Sequence, residues 1–192
     1  MRQTTLVEMD ENRARRPASR ALPRDVLVIG DSLAVDFGPA LKRQLRGWRV
    51  RIDARIGRSL GQGMSILARR SRAPAILAFS LFTNDSPRQI SELERAVRAT
   101  ATRSANCAVW ATIVRPPFDG RGYDATNRML RALADESQLA LGLQIVDWAR
   151  AVAADRSLLD RDGVHATPAG DAMFARMYAA AIRTCAGEAR ER

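Results

Sequence analysis

Histidine occurs once in this chain of 192 residues, cysteine twice, and lysine only as Lys42. One histidine, with no C-x-x-C and no Cys/His pair, excludes a zinc site, because the four ligands of such a site come from clustered cysteine and histidine. No metal is expected. Apolar runs are short as well. The longest, residues 73–82, is interrupted by Pro74 and Ser80 and falls far below the roughly 20 residues that span a bilayer. A soluble protein is the expectation. A P-loop and a G-x-G-x-x-G are absent, so neither a nucleotide nor another cofactor is implied. The absence of G-x-S-x-G excludes the serine elbow of the larger α/β-hydrolases. Near the N-terminus, basic residues are not followed by the apolar stretch of a secretory signal. As written, the chain is expected in the cytoplasm; an incomplete N-terminus would allow an extracytoplasmic location.

What the chain has in excess is arginine. Lysine and arginine total 31 against 21 acidic residues, a net charge of +10. A basic face is the footprint of phosphate binding, so a non-catalytic nucleic-acid-binding module stays open as a competing class. Here the arginines are scattered from Arg2 to Arg192 in an alanine-rich chain. Solvated helix faces and a GC-rich coding bias account for that distribution more simply.

Residues 1–24 are polar and without periodicity and are expected to be a disordered basic tail; 25–187 form the domain, and 188–192 a short C-terminal tail. Beyond the first tail, apolar runs alternate with helical segments, the pattern of an α/β fold with a mainly parallel sheet. Asp25–Ile29 is a continuous apolar strand, expected at the centre. A helix is expected around Pro39–Leu45, with Pro39 in its first turn. Trp48–Ala54 alternates apolar and charged residues and suits an edge. Ala75–Leu81 and Ala108–Val114 are further strands, and Leu143–Val146 is the fifth. Ser86-Pro87 opens a helix buried through Ile90, Leu93 and Val97, a second helix spans about 124–135, and Thr167-Pro168 opens a last one that Gly187 closes. These elements suit a three-layer, flavodoxin-like sandwich with strand order 2-1-3-4-5, whose ligands bind beyond the carboxyl ends of the strands.

Polar residues follow the strands in a consistent way. Gly30-Asp31-Ser32 follows the first strand, Gly57 lies after the second, Asn84-Asp85 after the third, and Asp162-Gly163-Val164-His165 precedes the last helix. Acyl transfer requires a nucleophile, a base, a group that orients the base, and donors for the oxyanion. The chain has one candidate for each: Ser32, His165, Asp162, and the amides of Ser32, Gly57 and Asn84. Singly, each has a plainer explanation: Ser32 as a helix cap, Asn84 as a turn residue, Gly57 as a tight-turn glycine. Their joint occurrence in this order is the signal.

Those residues resemble four sequence blocks of the SGNH (GDSL-type) hydrolases, and the resemblance runs from about Val26 to Cys185. The most specific part is DGVHATPAG at 162–170. The resemblance implies a serine esterase with a Ser32–His165–Asp162 triad and an oxyanion hole of Ser32, Gly57 and Asn84. One position departs from the family pattern, since Phe82 stands where Gly-x-Asn-Asp has glycine. The segment VDWARAVAADRSLLDRDGVHATPAG is similar to SGNH domains found alone or fused to membrane acyltransferases of cell-surface glycans, implying a small acyl group, such as acetyl, on a carbohydrate. An acyltransferase moving acetyl to a sugar hydroxyl stays open beside the hydrolase. Arg115, Phe82 and Arg58 are candidate substrate contacts, with Pro116, Phe118, Tyr123 and Asn127 flanking the loop after the fourth strand. The same fold would bring Cys107 near Cys185, and a bond between them would make a cytoplasmic location doubtful.

Overall fold

The structure, a computed structural model, describes residues 24–71, 74–101, 107–136 and 142–187. Apart from Arg24, both expected tails lie outside the described residues. The element order is β1 (Asp25–Gly30), α1 (Ser32–Gln44), β2 (Arg49–Ala54), α2 (Leu60–Ala68), β3 (Ile76–Ser80), α3 (Ile90–Ala101), β4 (Cys107–Ala111), α4 (Asp124–Asp135), β5 (Leu143–Val146), α5 (Trp148–Ala154) and α6 (Pro168–Cys185). The five strands are parallel in the order β2-β1-β3-β4-β5. β1 is an inner strand between β2 and β3, the central place expected for it being taken by β3, and β2 is an edge.

Both faces of the sheet are covered, which is why its inner strands read as unbroken apolar runs. Side chains alternate between two cores. Val26, Val28, Ile76, Ala78 and Val109 pack with α1, α5 and α6, around Phe37, Trp148, Phe174 and Tyr178. Leu27, Ile29, Leu77, Phe79 and Trp110 pack with α2, α3 and α4. Trp110 stacks on Phe79 at 4.4 Å and donates its indole N–H to Thr100 at 3.0 Å, so its one polar atom is satisfied.

Several expected boundaries move. α1 begins at Ser32, so Pro39 lies inside it. The missing N–H would have reached the Val35 carbonyl, and both residues are exposed, so the lost bond falls on the solvent side of the helix. β4 ends at Ala111, although the apolar run continues to Val114, because Asn127 takes over the backbone. Its side chain accepts from the Ile113 N–H at 2.7 Å and donates to the Ile113 carbonyl at 2.8 Å. Two helices were not anticipated. α2 holds two glycines, poor helix formers, and Gly63 is there because a Cβ would meet Leu81 at 2.4 Å. α5 has only seven residues, too few for a periodic stripe.

Candidate active site

Ser32 opens α1 immediately after β1, and the backbone there has no slack. A Cβ on Gly30 would lie 2.2 Å from the Ala34 Cβ, so only glycine lets the strand turn into the helix this tightly. Asp31 caps α1, accepting from the Leu33 N–H at 3.1 Å, and its own N–H donates to the Ser80 carbonyl at 3.0 Å. Asp31 is fully buried, and its second carboxylate oxygen has no hydrogen-bond partner among the described residues. Burial, opposed by the Leu33 amide and the Thr83 hydroxyl, pushes its pKa up to about 7.

The histidine loop is built differently. Asp162 Oδ1 accepts from the backbone N–H groups of Val164 at 2.8 Å and His165 at 2.9 Å, folding the loop around its own side chain. Its Oδ2 lies 2.6 Å from His165 Nδ1. A carboxylate only accepts, so Nδ1 carries the proton and Nε2 is left as an acceptor. That Nε2 lies 3.0 Å from Ser32 Oγ, across 133 positions of sequence. The bond to Asp162 raises the His165 pKa above its ordinary value, against partial desolvation, while Asp162 itself is lowered to about 2. The rest of the loop is structural: Thr167 caps α6 by accepting from the Gly170 N–H, and a Cβ on Gly170 would lie 2.0 Å from the Leu158 carbonyl oxygen.

Two further loops reach the same end of the sheet. The turn after β2 is tied to β1 where the Arg55 N–H donates to the Gly30 carbonyl at 3.1 Å, and Gly57 in it has φ +71°. The loop after β3 carries Asn84, whose side-chain amide donates to the Arg58 carbonyl at 3.2 Å, linking the two loops. Among the described residues, the backbone N–H groups of Ser32 and Gly57 have no acceptor.

Of the three candidate substrate contacts, the structure removes Phe82 and shows the two arginines bonded to backbone carbonyls of neighbouring loops. Phe82 has no exposed surface; its ring meets Tyr123 edge-on at 6.2 Å inside the core and cannot touch a ligand. Its φ is +80°, which explains why glycine suits the position, and complete burial of the ring offsets the backbone cost. Arg58 is buried, donating to the carbonyls of Gly30 and Asp53 and to the Asp53 carboxylate at 2.9 Å, so it braces the turn from inside. Arg115 donates to the Thr83 carbonyl and lies over the Phe118 ring at 4.9 Å, which makes it a strut for the Asn84 loop. Tyr123 donates to the Asp85 carbonyl at 2.6 Å, and Asn127 is the Ile113 clamp described above. Pro116 packs against Gly163, joining this strut to the histidine loop.

Among the described residues, no three His, Cys, Asp or Glu side chains are grouped to hold a metal ion, and no helix is long and apolar enough to cross a membrane. Cys107, at the start of β4, and Cys185, at the end of α6, form a disulfide.

No family model and no curated protein matches the sequence. Solved structures do match. The C-terminal catalytic domain of Streptococcus pneumoniae peptidoglycan O-acetyltransferase A superposes with a TM-score of 0.72 at 18% identity, over 86% of this chain and 95% of that one. A carbohydrate esterase family 3 protein from Talaromyces cellulolyticus gives 0.65 at 17% identity, over 86% and 99%. A member of the lipolytic G-D-S-L family from Veillonella parvula gives 0.60 at 15% identity, over 80% and 94%. The chain therefore has the fold of the SGNH hydrolases.

Proposed function

We propose that residues 25–187 are a single catalytic domain that hydrolyses esters through an acyl-enzyme on Ser32. The observation that carries this reading is the unbroken relay from Asp162 through the chain's one imidazole to one hydroxyl, at 2.6 and 3.0 Å. Ser32 Oγ attacks the ester carbonyl as His165 Nε2 takes its proton, and Asp162 stabilises the imidazolium. Charge on the carbonyl oxygen is met by the N–H groups of Ser32 and Gly57 and the Asn84 amide, the last worth about 100- to 1,000-fold in turnover by analogy with other such donors. The tetrahedral intermediate collapses as His165 returns the proton to the leaving alcohol. Water, activated by the same imidazole, then frees the acid. The chemistry needs no cofactor.

The likeness to a peptidoglycan O-acetyltransferase domain and a carbohydrate esterase supports a small acyl group on a carbohydrate as substrate. It also favours a second outcome of the same acyl-enzyme, transfer to a sugar hydroxyl in place of water. The Cys107–Cys185 bond supports an oxidising compartment over the cytoplasm, since reducing thiols there keep cysteines apart.

The test is an organophosphonate serine probe followed by peptide mapping, together with hydrolysis of an aryl acetate. Modification at Ser32 and turnover that depends on Ser32 and His165 are expected; labelling elsewhere, or turnover indifferent to both residues, sinks the reading. Product analysis with and without a sugar acceptor separates hydrolysis from transfer.

A further inference from the structure

One cavity borders β2, and another borders the turn that follows it. On the α1 side, a cavity of about 330 Å³ is lined by Ala34, Val35, Gly38, Ile52 and Ala54, with Pro39 and Lys42. On the α2 side, one of about 340 Å³ is lined by Arg55, Arg58, Gln62, Ser65, Ile66 and Arg69. No acidic side chain lines the second cavity, and the sequence explains why. Between Asp53 and Asp85 there is no aspartate or glutamate, while Arg55, Arg58, Arg69, Arg70 and Arg72 all fall in that interval.

The one carboxylate within reach is already engaged. Asp53 takes Arg58 on one oxygen at 2.9 Å and Arg70 toward the other at 3.7 Å. Arg55 donates to the neutral Gln62 side chain at 2.8 Å, and Arg69 forms no ion pair with the described residues. Both side chains are exposed. Two guanidinium groups thus border one concavity without a counter-ion, an arrangement that repels itself when empty and suits a carboxylate or phosphate, which the planar guanidinium binds bidentately. The cavity is also well placed. Arg55 stands two residues before Gly57 on the turn that is bonded to Gly30, so a group held there lies beside the loop that carries the candidate oxyanion amide.

We infer that the Arg55–Arg69 cavity is an anion subsite, and that the ester acted on is carried by an acidic glycan, one bearing carboxylate or phosphate groups along its chain. The substrate class rests on the esterase reading; the anion site does not.

The experiment therefore measures binding apart from turnover. In a Ser32→Ala background, fluorescence anisotropy follows labelled oligogalacturonate, an oligomer of glycerol phosphate, neutral cello-oligosaccharide and single-stranded DNA. The acidic oligomers are expected to bind more tightly than the neutral one and to weaken as salt rises. Changing both Arg55→Gln and Arg69→Gln is expected to weaken them roughly tenfold or more, whereas Arg55→Lys with Arg69→Lys, which keeps the charge but not the bidentate fork, restores only part of the affinity. The tighter of the two acidic oligomers identifies the anionic group. Equal affinity for charged and neutral oligomers, or a glutamine double variant that binds like its parent, overturns the subsite. DNA bound more tightly than either glycan, with the same arginine dependence, overturns the glycan assignment. Aryl acetate hydrolysis by the wild type is the separate readout of the esterase reading, so its failure with anion binding intact removes the ester and leaves the site.

Discussion

The loop that carries Ser32 and the loop that carries His165 meet at one hydrogen bond, yet they are held in place by opposite means. Asp31 and Ser32 are buried, and beside the tight local turn of Gly30 against Ala34 their position is set by neighbours far away in sequence: the Ser80 carbonyl that accepts from Asp31, and the β2 turn bonded to the Gly30 carbonyl. Asp162 and His165 keep 49% and 42% of their side-chain surface exposed, and their geometry comes from bonds within four residues of one another. In the proposed reaction the serine oxygen must be placed accurately, because attack tolerates little error in position, and burial in the core supplies that accuracy. In the same proposal the base must exchange protons with alcohol and water, which a self-bonded loop at the surface allows without being buried.

The largest expected effects test whether the two loops form one unit. Ser32→Ala and His165→Ala should each lower kcat/KM on an aryl ester by on the order of 10,000-fold or more, and the double variant should fall no further. Additive losses, read from steady-state kinetics of the three proteins, would mean that the two residues act separately.

Asp162→Asn comes next, with a loss on the order of 100- to 10,000-fold because the imidazole loses its orientation and tautomer. It should also move the pH profile. As the proposed base His165 would act only when neutral, and Asp162 raises its pKa, so wild-type kcat/KM should climb with pH through a midpoint above the usual imidazole value of about 6.5. In the variant, residual activity should climb at lower pH. An unmoved midpoint would show that another group controls the profile.

The two aspartates should also leave opposite marks on stability. Asp31 binds its proton more tightly when folded, so the native state loses stability as pH rises from about 4 through its folded value of about 7. Asp31→Asn removes that penalty, worth at most about 4 kcal/mol at pH 8 for a shift of this size, and should be neutral near pH 4. Asp162, lowered to about 2, contributes stability that is present above the usual carboxylate pKa and fades as pH falls toward 2. Thermal melts across pH read both, and a wild type that gains stability between pH 5 and 8 relative to Asp31→Asn contradicts the assignment.

The smallest effects compare the two glycines. Gly30→Ala forces an atom into packed core and should cost about 1 to 3 kcal/mol. Gly163→Ala, at φ +71° on the exposed loop, should cost about 1 kcal/mol. Denaturant unfolding ranks them, and the reverse order would refute the contrast between a buried and a self-bonded loop.

Legibility in the sequence followed the same division. DGVHATPAG was readable because its bonds are local: the spacing of Asp162 and His165, the Thr167 cap and Pro168 all act within a few residues. The strand order was readable because burial on both faces leaves unbroken apolar runs, and only β2 shows a polar face. Phe82 was misread as a pocket residue, because nothing in its neighbours says that the backbone turns the ring inward toward Tyr123. Arg58 and Arg115 looked like free cations, but their partners are carbonyls on other loops, together with Asp53. The excess arginine was read as scattered, which passed over the acid-free interval between Asp53 and Asp85. Folding then sets Arg55 and Arg69 around one cavity and engages Asp53 with Arg58 and Arg70.

Composition and periodicity determined by themselves that this chain builds a parallel sheet covered by helices, since those signals depend on each residue's immediate preference for burial or exposure. The residues able to serve as nucleophile, base and orienting acid were also determined there, because only one histidine exists and its acid lies three positions away. Tertiary structure alone decided that the hydroxyl and the imidazole meet, and which arginines border a cavity and which brace a turn. Those outcomes depend on contacts between segments far apart in the chain, and such contacts exist only once the sheet has brought the segments together.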